Sequence, residues 1–311
     1  MQKLIAQVNE IRERNKYSQN DLAAKIGRSP AVINQFLQGK YKGNEEDVAA
    51  RIREFVETEQ ARFNARFSAP AFVETKSTLD AQKLIDFARK YRTICVLTAD
   101  SGLGKSTILR EYKAQRTDTI LIEVTSGFTP RALMKALLTA IKPDAKKNAT
   151  TADLMKDCIR ELEKSKRLIL VDEAELLPYQ TLEALRRLYD MAETGVVLAG
   201  LPRLSDNLIG EDGEHVQLYS RIAQHVDLNN QFSRQDFDSI AVKMMQEAED
   251  NEIRELLYIY SGNNIRRLLN IVRGVYDLCD DLDIGVSLGA VKTYTDKLVG
   301  KSKGKNKSSV H

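Results

Sequence analysis

Through the middle of this 311-residue chain, short apolar runs alternate with longer stretches in which apolar residues recur every three or four positions. Thr93–Thr98, Thr119–Val124, Arg167–Val171 and Gly195–Ala199 are too short for helices and end in polar or charged residues, so they read as buried parallel strands. Between them the periodicity predicts helices over Thr78–Lys90, from Lys105 through Tyr112, twice between the second and third strands, and over Pro178–Glu193. That alternation predicts an α/β core with a parallel, doubly wound sheet, with a ligand site at the carboxyl ends of the strands. From Ser233 onward only helical periodicity appears, at about 234–248, 251–261, 264–280 and 284–299, which predicts a C-terminal helical lid. Upstream, Tyr17–Gly27 and Pro30–Gln38 read as two short helices, with Leu22, Ala23 and Ile26, then Val32, Ile33, Phe36 and Leu37, facing inward. A charged helix follows over 45–67, with Val48, Ile52, Phe55 and Val56 inward, and Ser68-Ala69-Pro70 breaks it. The predicted organisation is an all-α domain over 1–66, a linker over 67–72, the α/β core over 73–230, the lid over 231–299 and a disordered basic tail over 300–311.

The chemistry concentrates where the first core strand meets its helix. Ala99-Asp100-Ser101-Gly102-Leu103-Gly104-Lys105-Ser106 lies between them and has the composition of a phosphate-binding loop. Small residues let backbone N–H groups point at phosphates. Lys105 reaches the β/γ-phosphates, and Ser106 offers a hydroxyl to Mg²⁺. The helix N-terminus, running on through Thr107, adds its partial positive charge. Ala99 replaces the glycine usual at the first position, which requires a negative φ there, and the Asp100 side chain should point away from the phosphates. Some 65 residues on, the strand at 167–171 ends in Asp172-Glu173. There Asp172 would hold Mg²⁺ and Glu173 would polarise an attacking water, the positioning and charge neutralisation that phosphoryl transfer needs. The two motifs together predict ATP and Mg²⁺ as the bound species.

Composition narrows the class. Hydrophobic residues make up 42% and charged residues 29%, ordinary for a soluble globular chain, with no apolar run near the length of a membrane span. A cytoplasmic location is expected, with Cys95, Cys158 and Cys279 as reduced core thiols. The net charge of +3 is unevenly placed. Residues 1–44 carry eight basic residues (Lys3, Arg12, Arg14, Lys16, Lys25, Arg28, Lys40, Lys42) against Glu10, Glu13 and Asp21, and the stretch after Asp296 adds Lys297, Lys301, Lys303, Lys305 and Lys307. Basic blocks at both ends fit a nucleic-acid partner.

The basic N-terminal block also has a pattern. Two short helices joined at Gly27 resemble the Cro/repressor-type helix-turn-helix, whose second helix enters the major groove. Arg28, Ser29, Asn34, Gln35, Gln38, Lys40 and Lys42 are then the residues offered to DNA. Only Asn34, Gln35 and Gln38 could pair bases through amides, so sequence-specific reading is not implied. A small helical domain for protein contacts has the same pattern.

Two further strings extend the resemblance. Tyr219-Ser220-Arg221-Ile222 and Gly262-Asn263-Asn264-Ile265-Arg266-Arg267, with the two nucleotide motifs, look like the arginine finger and second sensor of AAA+ ATPases. The order of helix-turn-helix, Lys40-Tyr41-x-Gly43, Phe72-Val73-Glu74-Thr75, phosphate loop, Ser220-Arg221-Ile222-Ala223 and Arg267-Leu268-Leu269-Asn270 is similar to that of the Mu B-type transposition target-selection family. That resemblance implies an ATPase that binds double-stranded DNA without strong sequence preference and assembles with itself on it. It also implies delivery of that DNA to a transposase and stimulation of strand transfer. Arg221 would be catalytic across a subunit boundary, and Arg266 or Arg267 would contact nucleotide. DNA-backbone contacts would come from the loop Thr125–Arg131, with Arg131, Lys142, Lys146 and Lys147. One position departs from the pattern: Gly200-Leu201-Pro202 supplies no polar residue after the fourth strand to orient the attacking water. A replication initiator or helicase loader, or a helix-turn-helix regulator using ATP as a ligand, are the rival readings.

Overall fold

The computed structural model describes residues 2–15, 17–66, 72–142, 149–210 and 216–303. The chain divides into two compact units. Residues 71–240 group with 262–267, and residues up to 70 group with 241–261 and with 268 onward.

The N-terminal segment has four helices: α1 (Gln2–Arg14), α2 (Gln19–Ile26), α3 (Pro30–Leu37) and α4 (Glu45–Arg66). Local chemistry sets their ends. Ser18 Oγ accepts the Asp21 N–H and the Asp21 carboxylate accepts the Ser18 N–H, a reciprocal cap that starts α2. Gly27, at φ +71°, ends it in the left-handed region. Ser29 caps α3, with Pro30 preset for the first turn, and Glu45, Glu46 and Asp47 complement the dipole of α4. Val8 and Ile11 of α1 pack with Leu22, Ile26, Ile33, Phe36, Ile52 and Phe55 in one core. Burying each such side chain is worth about 1.5–3 kcal/mol. Glu59 is buried but satisfied, accepting from Asn15 Nδ2 at 3.2 Å and Tyr17 OH at 2.9 Å with Lys25 Nζ at 3.7 Å. Helix α1 lies outside the elements read from the sequence. Val32 and Leu37, expected in the core, are only half-buried against it.

The larger unit carries α5 (Lys76–Tyr91), β1 (Ile94–Thr98), α6 (Lys105–Ala114), β2 (Thr119–Glu123), α7 (Pro130–Ile141) and α8 (Thr151–Ser165). It continues through β3 (Leu168–Asp172), α9 (Tyr179–Ala192), β4 (Val196–Gly200), α10 (Arg203–Ile209), α11 (Val216–Tyr219), β5 (Ile222–Asp227) and α12 (Leu228–Gln231). All five strands are parallel, in the order β2-β3-β4-β1-β5. Strands β1, β3 and β4 are buried at every position because helices cover both faces. Alternation sorts their side chains between two cores. Ile94, Val96, Ile169, Val171, Val196 and Leu198 face α7, α8 and α9, while Cys95, Leu97, Leu168, Leu170, Val197 and Ala199 face α5 and α6. Burial pushes the Cys95 thiol up to about 11 and the Cys158 thiol to about 12, so both are inert core groups. Strand β5 lies outside the strands expected from the apolar runs and leaves Ala223, Gln224 and His225 exposed.

Four further helices follow: α13 (Arg234–Met244), α14 (Asn251–Ser261), α15 (Ile265–Leu282) and α16 (Leu288–Lys303). Leu268, Ile271, Val272, Val275 and Cys279 make the buried stripe of α15. The predicted 234–248 helix instead ends at Met244, and a 3-10 turn over Gln246–Glu249 replaces its last turn. Helix α16 runs to Lys303, so the first residues of the expected disordered tail are helical.

Candidate nucleotide site

The loop from Ala99 to Gly104 leaves the carboxyl end of β1, which lies between β4 and the edge strand β5. Its conformation depends on glycine: Gly102 and Gly104 sit at φ +90° and +91°, where other residues are strained. Ala99 is fully buried, is not among the residues with positive φ, and donates its N–H to Gly200 O at 3.1 Å. The condition set by its replacement of glycine is therefore met. Asp100 donates its N–H to Asn229 Oδ1 at 3.0 Å and leaves its side chain exposed. Among the described residues no acceptor takes the N–H groups of Gly102, Leu103 or Gly104. Gly104 is the N-cap of α6 with no side-chain cap, and among the described residues no acceptor outside the helix takes the first-turn amides of Lys105, Ser106 and Thr107. Free amides at a helix N-terminus form an anion cradle.

Lys105 completes it. Its Nζ donates to Ala99 O at 2.6 Å and Asp100 O at 3.2 Å. Burial pushes the ammonium below its ordinary range, and the nearby acids Glu175, Asp172 and Asp100 oppose that shift. An anion in the loop would favour the charged form further.

The second motif sits one strand removed. Asp172 ends β3, is 3% exposed, and accepts the Glu173 N–H on Oδ1 at 3.0 Å. Glu173 is exposed and held at φ +56°. A non-glycine residue in that region costs of order 1–3 kcal/mol, and such residues cluster at functional sites. The half-buried Ser106 hydroxyl and the Asp172 carboxylate are hard oxygen donors of the kind Mg²⁺ takes alongside phosphate oxygens. Among the described residues no three His, Cys, Asp or Glu side chains cluster as metal ligands.

The turn over 262–267 closes on the loop. Asn264 Nδ2 donates to Ser101 O at 2.6 Å, and the N–H groups of Ile265 and Arg266 donate to Gly102 O at 3.0 and 3.3 Å. Arg266 Nη1 reaches Ser101 Oγ at 3.2 Å. Arg267 instead gives its N–H to Asn264 Oδ1 at 3.0 Å and leaves its side chain exposed. The adjacent arginines are thereby distinguished, with Arg266 at the loop. Arg221 lies elsewhere, donating from Nε to Asp190 Oδ1 at 3.2 Å and from Nη1 to Ser220 Oγ at 3.2 Å, partly exposed.

The residues offered to DNA are more scattered. Arg28 is ion-paired with Asp47, Ser29 Oγ caps α3 through the Val32 N–H at 3.4 Å, and Asn34 accepts from Gln38 Nε2 at 3.1 Å. Gln35, Lys40 and Lys42 are exposed, as is Lys142, whereas Arg131 is half-buried in the first turn of α7. Lys146 and Lys147 lie outside the described residues. Two residues that hold the loop's backbone, Asn229 and Asn264, are not among the site residues expected from the sequence. Asn264 had a local signal, lying in the Gly-Asn-Asn turn before a helical run.

Residues 88–208 match the AAA domain family. With the parallel sheet and the glycine loop, the core is that of a P-loop ATPase of the AAA class. The solved ORC2 protein of Aeropyrum pernix, in ADPNP and ADP complexes, superposes with a TM-score of 0.56 at 12% identity, over 70% of this chain and 66% of that one, which shows the fold.

Among curated proteins the chain is similar to transposition proteins B. It is 24% identical over 261 residues to the Mu-like prophage FluMu DNA transposition protein B of Haemophilus influenzae, covering 82% of this chain and 90% of that protein. It is 29% identical over 254 residues to the ATP-dependent target DNA activator B of Escherichia phage D108, covering 80% of each. The activator of the same name from Escherichia phage Mu is 29% identical over 213 residues, 67% of each chain. No helix among the described residues is long and apolar enough to cross a membrane.

Proposed function

We propose that this ATPase binds double-stranded DNA when loaded with ATP and Mg²⁺, assembles with further copies on it, and presents it to a transposase for strand transfer. The single observation that carries the reading is a complete phosphate cradle within a chain similar, over most of its length, to ATP-dependent target DNA activators. In this reading Lys105 and the loop amides hold the phosphates, while Ser106 and Asp172 hold Mg²⁺, which neutralises phosphate charge. Glu173 takes the water's proton, and Arg266 reaches the phosphates from the turn over 262–267. Arg221 acts on a neighbouring copy's nucleotide, exchanging its Asp190 partner for the γ-phosphate. Tyr219 and Met191, 52% and 58% exposed, flank that ion pair in sequence and supply apolar surface for the neighbour. The segment 1–66 adds a helix-turn-helix contact to DNA. No polar side chain follows β4 at Leu201-Pro202, so turnover is expected to be slow without assembly.

Lys105→Ala is expected to abolish ATP binding and ATP-dependent sedimentation with DNA together. Glu173→Gln is expected to keep both, lower turnover by about 10²-fold or more, and prolong the DNA-bound state. Sedimentation of the Lys105→Ala protein with DNA at wild-type level would remove ATP from the binding step. Footprinting confined to one sequence would favour a regulator over a target-delivery protein.

A further inference from the structure

In the AAA+ resemblance a polar side chain beyond the fourth strand orients the attacking water, and here Gly200-Leu201-Pro202 offers none. What occupies that place comes from the neighbouring strand. Three residues past the end of β3, Glu175 folds back within a 3-10 turn (Ala174–Leu176) and lies over the last residue of β4. A methyl group at Gly200 would collide with Glu175 Oε2, so the missing side chain at 200 is what makes room for the carboxyl group. Gly200 is itself bonded to the start of the phosphate loop, its carbonyl accepting from Ala99. Glu175 is 9% exposed, and among the described residues nothing pairs with its Oε2. A buried acceptor left unpaired is unusual and calls for a bound group that supplies the missing hydrogen. The backbone around it is settled: Asn207 Nδ2 donates to Glu175 O at 3.0 Å. Glu175 also leads Asp172 and Asp100 among the acids that oppose the downward shift of the Lys105 ammonium.

We infer that Glu175 accepts a hydrogen bond from the water that attacks the γ-phosphate, taking over the orienting role left open by the apolar residues after β4. This rests on the ATPase reading with Glu173 as base. Attack forms a bond from the water oxygen to the γ-phosphorus and breaks the bond to the β,γ-bridging oxygen, whose electron pair leaves with ADP. One water proton passes to Glu173, and the other remains hydrogen-bonded to Glu175 Oε2. The geometry also assigns Gly200 a part, since any side chain there would push the acceptor aside.

The test compares full-length Glu175→Ala, Glu175→Gln, Gly200→Ala and Glu173→Gln, reading steady-state turnover, equilibrium binding of a fluorescent ATP analogue, and thermal melting. Glu175→Ala is expected to lower kcat by about 10²-fold, the scale of a misplaced reacting group, with analogue affinity unchanged within about threefold. Glu175→Gln retains an acceptor oxygen and should recover most of the rate. Gly200→Ala should lower kcat as Glu175→Ala does. In the Glu175→Ala background, Leu201→Asn returns a polar group to the end of β4 and should restore part of the turnover.

Full activity in Glu175→Ala, with Glu173→Gln inactive, would overturn the inference and leave the base assignment standing. Full activity in Glu173→Gln with Glu175→Ala impaired would remove the base and keep the positioning residue. A change in analogue affinity with kcat intact would make Glu175 a counter-ion of Lys105, and a fall in melting temperature that Glu175→Gln fails to restore would make it a structural acid. Either result overturns the inference.

Discussion

Arg266 and Arg267 stand next to each other on the same helical turn, and the difference between them is geometric. One residue along a helix rotates a side chain by roughly 100°. Both side chains are exposed, but Arg266 reaches Ser101 Oγ whereas Arg267 bonds the Asn264 cap through its N–H. Replacing Arg266 by Ala is therefore expected to weaken ATP binding by about tenfold, the worth of one charge-assisted hydrogen bond at about 1.4 kcal/mol or more. Arg267→Ala should change it by less than about twofold, as surface substitutions do. Equilibrium titration with a fluorescent ATP analogue checks both, and equal effects would break the assignment of Arg266 to the loop. Sequence alone left this pair open because both arginines fit the same string. The phosphate loop itself was legible because its chemistry is local: consecutive residues make the turn, supply the amides and place the lysine. Glu175 was not, since its significance depends on a glycine in another strand and on an oxygen that lacks a partner.

Strands β1, β3 and β4 were legible because every position in them is buried, so each is an apolar run, and the edge strand β2 keeps the apolar run Ile120–Ile122 although Leu121 is half-buried and Glu123 exposed. Strand β5 was not read as one because it covers an edge of the sheet and exposes Ala223, Gln224 and His225, breaking the run. His225 nonetheless meets Thr98 Oγ1 at 2.8 Å, pinning the edge strand to β1 beside the loop. Helix α1 had a signal in Leu4, Val8 and Ile11, at helical spacing, although its first turn carries no acid. Packing between elements is tight enough at one point to test. At the entry to β4 a methyl group on Gly195 would press on Ala88 O, the carbonyl that accepts the N–H of Thr93 at 3.2 Å and caps α5. Gly195→Ala is expected to destabilise the fold by about 1–3 kcal/mol, the range for overpacking. Gly289, exposed in α16 with only Ser287 Oγ at 3.8 Å, meets no such wall. There Gly289→Ala should stabilise by up to about 1 kcal/mol through helix propensity. Urea unfolding of the two variants should move the midpoint in opposite directions, and a shared direction would contradict the local packing.

At the scale of the molecule, the proposed DNA contacts divide between two segments of the chain. Positive charge collects in residues 1–44, and two of its eight basic side chains are engaged in ion pairs: Arg28 with Asp47, and Lys25 with Glu59 and over the Tyr17 ring. Gln35, Lys40 and Lys42 remain exposed there. The ATPase core offers the loop after β2, fixed by Thr181 Oγ1 donating to Phe128 O at 3.0 Å, with Arg131 just beyond it and Lys142 exposed at the far end of α7. Such groups would address phosphates without reading bases, and a nucleotide-dependent assembly needs its main hold on DNA in the domain that responds to nucleotide. A chain beginning at Phe72 is accordingly expected to bind any duplex in an ATP-dependent way, more weakly than the full chain. Every phosphate that the N-terminal segment neutralises adds about 0.9 to the log–log salt dependence, so removing Lys40 and Lys42 should flatten the slope by roughly two. Fluorescence anisotropy across a salt series measures both quantities, with circular dichroism and nucleotide binding confirming that the shortened chain folds. A folded, ATP-binding chain from Phe72 with no ATP-dependent affinity for DNA would place the principal DNA-binding surface in the N-terminal helices instead. The exposed face of α3 and the lysines after it would then be the surface that holds target DNA.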